Sequence, residues 1–270
     1  MMPSYRVLER VPHDTAFGVR FWDEATGRAV HNELTVVISP QFNLSMQAKI
    51  PAGLSGAYVT RRLPWTPAVS TAYRVEVTDP AGDFLPARFI AQLPSSEPFR
   101  LLCTSPVSGP YVPLFSAPQR LAPASMAVLR ADLWDMVNDR PAAGALVQVD
   151  AGGGARGRGV ADSRGRVAVI FGYPEPVRLP GLSPGAGSSL PLQQQTWEVG
   201  VRVFYRAGDA VFPRDLCDIL QQPVAQAWRT SAGTAPFTGA LLRFGQEAIA
   251  RTLDATTLQP LSRLLVAPGV

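Results

Sequence analysis

Apolar and polar residues alternate along much of this chain with a period of two. Phe17, Val19 and Phe21 fall on one side of such a pattern and Gly18 and Arg20 on the other, as successive side chains of a strand must. Tyr73, Val75 and Val77 alternate with Arg74, Glu76 and Thr78, the clearest half-buried strand in the chain. Thr35, Val36, Val37 and Ile38 form a β-branched run that Pro40 stops. Residues 84–90, 127–134, 145–149, 167–171 and 196–204 read as further strands. Turn residues punctuate them, with Gly27, Gly82 and Gly165 placed for a left-handed backbone. Residues 150–159 and 180–195 read as long loops, the first of them a flexible tip built on Gly152, Gly153 and Gly154.

The stretch 213–228 departs from this period. Leu216, Ile219, Leu220 and Val224 stand at helical spacing, with Asp215 and Asp218 near the start, where the helix dipole favours acid. A short helix is therefore expected in the C-terminal part. Residues 239–252 fit either element, and are read as strands that complete a sheet together with 261–266.

One motif is written twice. Trp22, Asp23, Arg28, Leu34 and Val37 recur, at one constant spacing, as Trp134, Asp135, Arg140, Leu146 and Val149. Further on, Gly56 to Val59 echoes Gly165 to Ala168, Tyr73 to Val77 echoes Trp197 to Val201, and Ala81-Gly82-Asp83 recurs as Ala207-Gly208-Asp209. The order is kept while the spacing drifts, as it does when loops differ in length. The expected architecture is all-β: two tandem antiparallel β-sandwich domains, at 1–110 and 126–270, with the short helical element in the second. Prolines 94, 98, 106, 110, 113, 118 and 123 make 94–125 the expected stiff interdomain connection, with 111–125 as its linker. The repetition also marks the shared residues as scaffold, with Trp22 and Trp134 expected in matching core positions.

Composition narrows the function. Hydrophobic residues make up 46% of 270 residues, enough for packed cores, and 26 prolines with 23 glycines are spread along the chain as turn punctuation. The formal charge is +4, and Lys49 is the single lysine. A coding bias toward arginine explains this without a binding patch. No run of like charges reaches the length of a nucleic-acid site, so no nucleic-acid partner is expected. No apolar run is long enough to cross a membrane, and the first residues lack the apolar core of a secretory signal. The expectation is a cytoplasmic protein without a membrane partner. Cys103 and Cys217 are far apart with no CxxC around either, and read as buried small hydrophobes or free thiols.

No catalytic, metal or cofactor constellation stands out. His13 and His31 are the only histidines, and neither has ligand-type neighbours at metal spacing. The glycines at 152–154, 157 and 159 lack the GK[ST] of a phosphate loop. Candidate interaction residues are Arg156 and Arg158 in the first long loop, and Trp65 and Trp228, which lie outside the repeated core.

The motif of Asp23 to Val30, then Leu34 to Ile38, Gly56 to Val59 and Tyr73 to Val77, resembles the transthyretin-like, carboxypeptidase-regulatory-like β-sandwich domains. The second copy supplies 135–142, 146–149, 162–169 and 197–201, with Asp139 in place of the turn glycine and Pro141 after the arginine. The phrases at 111–118 and 244–247 are similar to those of accessory proteins of phage-tail-like contractile injection systems. That resemblance implies a non-enzymatic structural or assembly role in a multi-subunit particle, as a baseplate, cap or fibre-adaptor component, with other particle proteins as partners. It transfers no catalytic residues. Exposed sheet edges would also allow a homo-oligomer. The alternative is a carbohydrate- or surface-binding module that uses Trp65 and Trp228, and behind it a hydrolase whose site converges from distant loops.

Overall fold

A computed structural model describes residues 17–30, 33–53, 56–60, 71–93, 99, 101, 103, 111–176, 191–208 and 212–269. Trp65, His13 and His31, and most of the loop expected at 180–195, lie outside the described residues. The chain is all-β and sandwich-like, as its alternation requires. The first unit contains β1 (Phe17–Val19), β2 (Phe21–Asp23), β3 (Arg28–Ala29), β4 (Thr35–Pro40), β5 (Ala48–Ile50), β6 (Tyr58–Thr60), β7 (Thr71–Thr78), β8 (Ala87–Leu93) and β9 (Val112–Leu114). The second contains β10 (Met126–Asp135), β11 (Arg140–Pro141), β12 (Leu146–Asp150), β13 (Arg156–Val160), β14 (Arg166–Gly172), β15 (Thr196–Phe204), α1 (Leu216–Leu220), β16 (Val224–Ala227), β17 (Gly239–Arg243), β18 (Ala248–Ile249) and β19 (Leu264–Ala267).

The two units repeat a way of pairing strands. In each, the chain's entry switches sheets part-way along. β1 pairs antiparallel with β6 and then β2 pairs with β3. In the second unit the single strand β10 does both, with β14 along its first part and β11 at its end. The registers match the sequence repeat: Val19↔Tyr58 corresponds to Ala131↔Val167, and Asp23↔Arg28 to Asp135↔Arg140. Each entry strand also receives a parallel strand from the end of its own unit, β9 beside β2 and β19 beside β10.

Asp23 and Asp135 are the buried members of the Trp-Asp pair. Each carboxylate accepts amide hydrogens from the turn it starts: Ala25 N–H for Asp23, Val137 and Asn138 N–H for Asp135. Such bonds to the backbone are why Asp opens turns. Asp139 occupies the place of Gly27 with φ 47°, a conformation Asp tolerates better than most residues. The tryptophans are not core residues, contrary to expectation. Period two places Phe21 and Leu133 inward, which turns Trp22 and Trp134 to the outer face, half-buried. There Trp22 packs on Tyr111, and the Arg263 guanidinium lies 3.6 Å from the centre of a Trp134 ring.

The alignment of Val37 with Val149 is also corrected. Val36 and Ile38 point inward and pair with Val77 and Val75, while Val147 and Val149 pair with Val203 and Val201. Val37 therefore faces outward where Val149 faces inward, so the constant spacing does not hold through β4 and β12. A one-residue slip turns every side chain to the opposite face. The echo at Ala207 and Gly208 is not a shared turn. Gly82 is left-handed at φ 77° and Gly208 is not, while Asp209 lies outside the described residues.

Three element expectations change. The stretch 111–117 is not a free linker but carries β9, buried against β2. Val112 N–H donates to the Arg20 carbonyl and Glu24 N–H to the Leu114 carbonyl, so the nitrogen of Pro113 faces away from β2 and costs no ladder bond. Residues 156–160 form the strand β13, not loop. Gly157 and Gly159 face inward so closely that a Cβ would lie 2.7 Å from Phe171 Cβ and 2.6 Å from the Ala168 carbonyl oxygen, respectively. The expected helix is real but ends at Leu220, ahead of Pro223, and Val224 begins a strand.

Two buried apolar clusters hold the units. One is built on Phe21, Val36, Ile38, Tyr73, Val75 and Phe89, the other on Leu129, Leu133, Val149, Val169, Phe171 and Val201. The first does not end with the first unit, for Leu146, Val160, Leu216 and Ile219 belong to it. Burying each such side chain contributes roughly 1.5–3 kcal/mol.

Candidate functional site at the junction of the two units

The densest set of unusual side chains lies where the units meet. Asp215 caps α1, its Oδ1 accepting the Cys217 N–H at 2.9 Å, and so aims the helix at β8. Backbone bridging between Arg88 and Asp215 brings this segment alongside β8. Leu216 and Ile219 enter the first core, and Cys217 forms a disulfide with Cys103, Cα–Cα 5.4 Å. The expectation of free thiols is therefore wrong. Linear separation says nothing about proximity once the chain folds back over the first sheet.

Charged pairs reinforce the joint. Arg158 on β13 donates from Nε to Glu24 Oε1 at 2.6 Å, across the two units. Arg130 on β10 donates to the carbonyls of Pro118 and Arg120 and pairs with Glu247 at 3.0 Å. Arg120 in turn grips Asp23. The short connection between the units is thus pinned on both sides.

Beside the disulfide lies a cleft of about 610 Å³. Its floor is the outer face of β7 and β8, with Arg74, Arg88 and Ile90; Phe99, Asp215 and Asp218 close it on the other side. Arg74 Nε lies 3.1 Å from Glu76 Oε1 but lacks a hydrogen-bond partner, and so does the buried Asp215 Oδ2, among the described residues. Burial raises the Asp215 carboxyl above the usual range and the Asp218 charge adds to this; the Cys217 amide and Arg88 oppose it. Two guanidiniums and two carboxylates against an apolar wall suit the binding of a polar group. Among the described residues no group of three or more His, Cys, Asp or Glu is arranged for a metal ion.

The residues singled out from sequence are not gathered here. Arg158 takes part through Glu24, and Arg156, on the same side of β13, is exposed with its Nε 3.5 Å from Asp150 Oδ2. Trp228 directly follows β16, on the far side of β15 and β12 from β13. Its ring is half-buried near Gly233, and Nε1 has no partner among the described residues. Sequence reasoning missed Asp215, Arg74 and Arg88. Only Asp215 left a trace, as an acid two residues before Cys217 at a helix start.

Fold and junction together define a class: an all-β protein of two sandwich units locked at a covalent, partly buried joint. No family model matches the chain, and no curated protein matches it. Among solved structures, a mutant of the shaft pilin spaA from Lactobacillus rhamnosus GG aligns over 95% of this chain and 99% of its own, with 9% identity and a TM-score of 0.24. A likeness at that score bears on neither fold nor function.

Proposed function

We propose that this protein is a non-enzymatic structural or assembly component of a multi-protein, phage-tail-like contractile injection particle. The observation that carries this reading is the junction, where one hydrophobic core, one disulfide and the Arg158–Glu24 pair cross between units. Domains joined only by a linker move relative to one another by default. A joint of this kind instead fixes the spacing and angle of two sandwiches, which is what a scaffold between other subunits needs. The sequence phrases at 111–118 and 244–247 point to the particle.

Disulfides persist in oxidising surroundings and are rare in a reducing cytoplasm. In this reading the Cys103–Cys217 bond closes once the particle has left the cytoplasm, which narrows the cytoplasmic expectation to the stage of synthesis.

Affinity purification of the tagged protein from its native cells, followed by mass spectrometry, tests the reading. Sheath, tube or baseplate proteins should co-purify. Recovery of the protein alone, from a lysate that makes such particles, would overturn it. The carbohydrate-binding reading keeps one observation, the half-buried Trp22–Tyr111 pair with ring centres 4.9 Å apart on the outer face. Glycan-array binding lost on Trp22→Ala would favour it.

A further inference from the structure

Among the described residues, β17 of the second unit has a ladder partner on one side only. β17 runs antiparallel to β15, from Thr196↔Arg243 to Gly200↔Gly239. Two bonds bracket this ladder, Val201 N–H to the Thr238 carbonyl and Phe244 N–H to the Gln195 carbonyl. In an antiparallel ladder, residues that exchange hydrogen bonds with the partner alternate with residues that do not. Counting by twos from either bracket, Ala240 and Leu242 bond to β15. Gly239 and Leu241 therefore turn their N–H and C=O groups to the opposite edge. Among the described residues no backbone bond meets them there. β18 follows through a turn at Gly245 but leaves to pair with β10, so β17 is not covered by its own continuation.

A groove of about 350 Å³ runs past this edge, lined by Glu198, Arg229, Phe237, Leu241, Arg251 and Leu253. Leu241 is 57% exposed. Arg229 and Arg251 are exposed, and among the described residues neither is in an ion pair. Glu198 alone is acidic among the lining residues, so the groove has an excess of positive charge.

We propose that the β17 edge is a docking site for an extended, acidic segment of a partner protein, which adds to the sheet as a further strand. This rests on the assembly reading and names where a partner would attach. The outward N–H and C=O of Leu241 supply main-chain bonds, the source of affinity in strand addition. Leu241, Phe237 and Leu253 receive alternate apolar side chains. Arg229 and Arg251 select carboxylates and speed encounter.

A fluorescein-labelled hexapeptide of alternating glutamate and valine, titrated into the full chain and followed by anisotropy, tests this. The lysine–valine peptide is the control. The acidic peptide should bind saturably at low salt and at least tenfold more tightly than the control. Arg251→Glu should weaken it at least tenfold, and Leu241→Pro should remove binding. Proline there deletes an outward N–H and leaves the bonds of Ala240 and Leu242 in place, a substitution that edge strands accept. Should the proline variant fail to fold, hydrogen exchange on the unaltered protein decides: the peptide should slow the Leu241 amide and leave Ala240 and Leu242 protected throughout. No binding, equal binding of both peptides, or an unchanged Leu241 amide overturns the proposal. Because these readouts use the isolated chain, their failure alongside recovery of particle proteins from cells would remove this edge and leave the assembly reading intact.

Discussion

The guanidinium of Arg120 closes two hydrogen bonds on the carboxylate of Asp23, Nη1 to Oδ1 at 2.9 Å and Nη2 to Oδ2 at 2.7 Å. The same carboxylate accepts the Ala25 amide and the Thr26 hydroxyl. In the second unit Asp135 makes the equivalent turn and accepts the Tyr205 hydroxyl at 3.2 Å. The repeated aspartate builds the turn in both units. Arg120 ties the turn of the first unit to the connection between the units.

Both side chains of the Arg120–Asp23 pair are nearly out of solvent, at 13% and 7% exposure. Removing one partner leaves the other charge buried, so Arg120→Ala should destabilise the fold by roughly 3 kcal/mol. Chemical denaturation of the two proteins measures this.

The pair also sets an acid limit. Burial alone would raise the Asp23 carboxyl, but the hydrogen bonds and charge of Arg120, with Thr26 and the Ala25 amide, bring it below its ordinary value. The folded state thus binds this proton less tightly than the unfolded chain. Its contribution is fully present above pH of about 4 and is lost as pH falls through the depressed folded value. Arg120→Ala should flatten the acid limb of stability against pH.

Asp215 has the opposite sign. Its carboxyl is raised in the folded state, chiefly by burial, so the charged form costs stability as pH rises through the folded value. Asparagine keeps the helix cap and removes the charge. Asp215→Asn should leave the protein as stable or up to about 1 kcal/mol more stable at neutral pH, with the gain vanishing in acid. A loss at neutral pH would show that Asp215 is satisfied by a partner.

Cys103→Ser, or a strong dithiol reductant, should lower stability by roughly 2–5 kcal/mol. The bond closes a loop with a sequence separation of 114 and crosses between units. Thermal melts with and without reductant should differ for the natural chain and coincide for the serine variant.

Gly159→Ala should destabilise by roughly 1–3 kcal/mol, since a methyl there meets the Ala168 carbonyl oxygen at 2.6 Å. Gly152→Ala, with open space around it, should cost only about 1 kcal/mol for its left-handed backbone.

Much of the fold was legible in the alternation. Tyr73 to Val77, the turn aspartates and the strand reading of 239–243 all follow from local chemistry that acts within a few residues. What failed depends on pairing across the chain. Pro113 reads as linker because its place in a parallel ladder is set by β2, far away in sequence. Gly157 and Gly159 read as loop because their reason is the close approach of β14. Cys103 and Cys217 read as unrelated until α1 is seen docked on β8. Arg158 reads as a candidate interaction residue, and its contact with Glu24 across the units depends on the same long-range pairing.

The central claim is that the two units behave as one body. Residual dipolar couplings measured on backbone amides of both units test it most directly. One alignment tensor should fit the two sets together in the oxidised protein. Two tensors of different magnitude or orientation would show units moving independently and contradict the scaffold account.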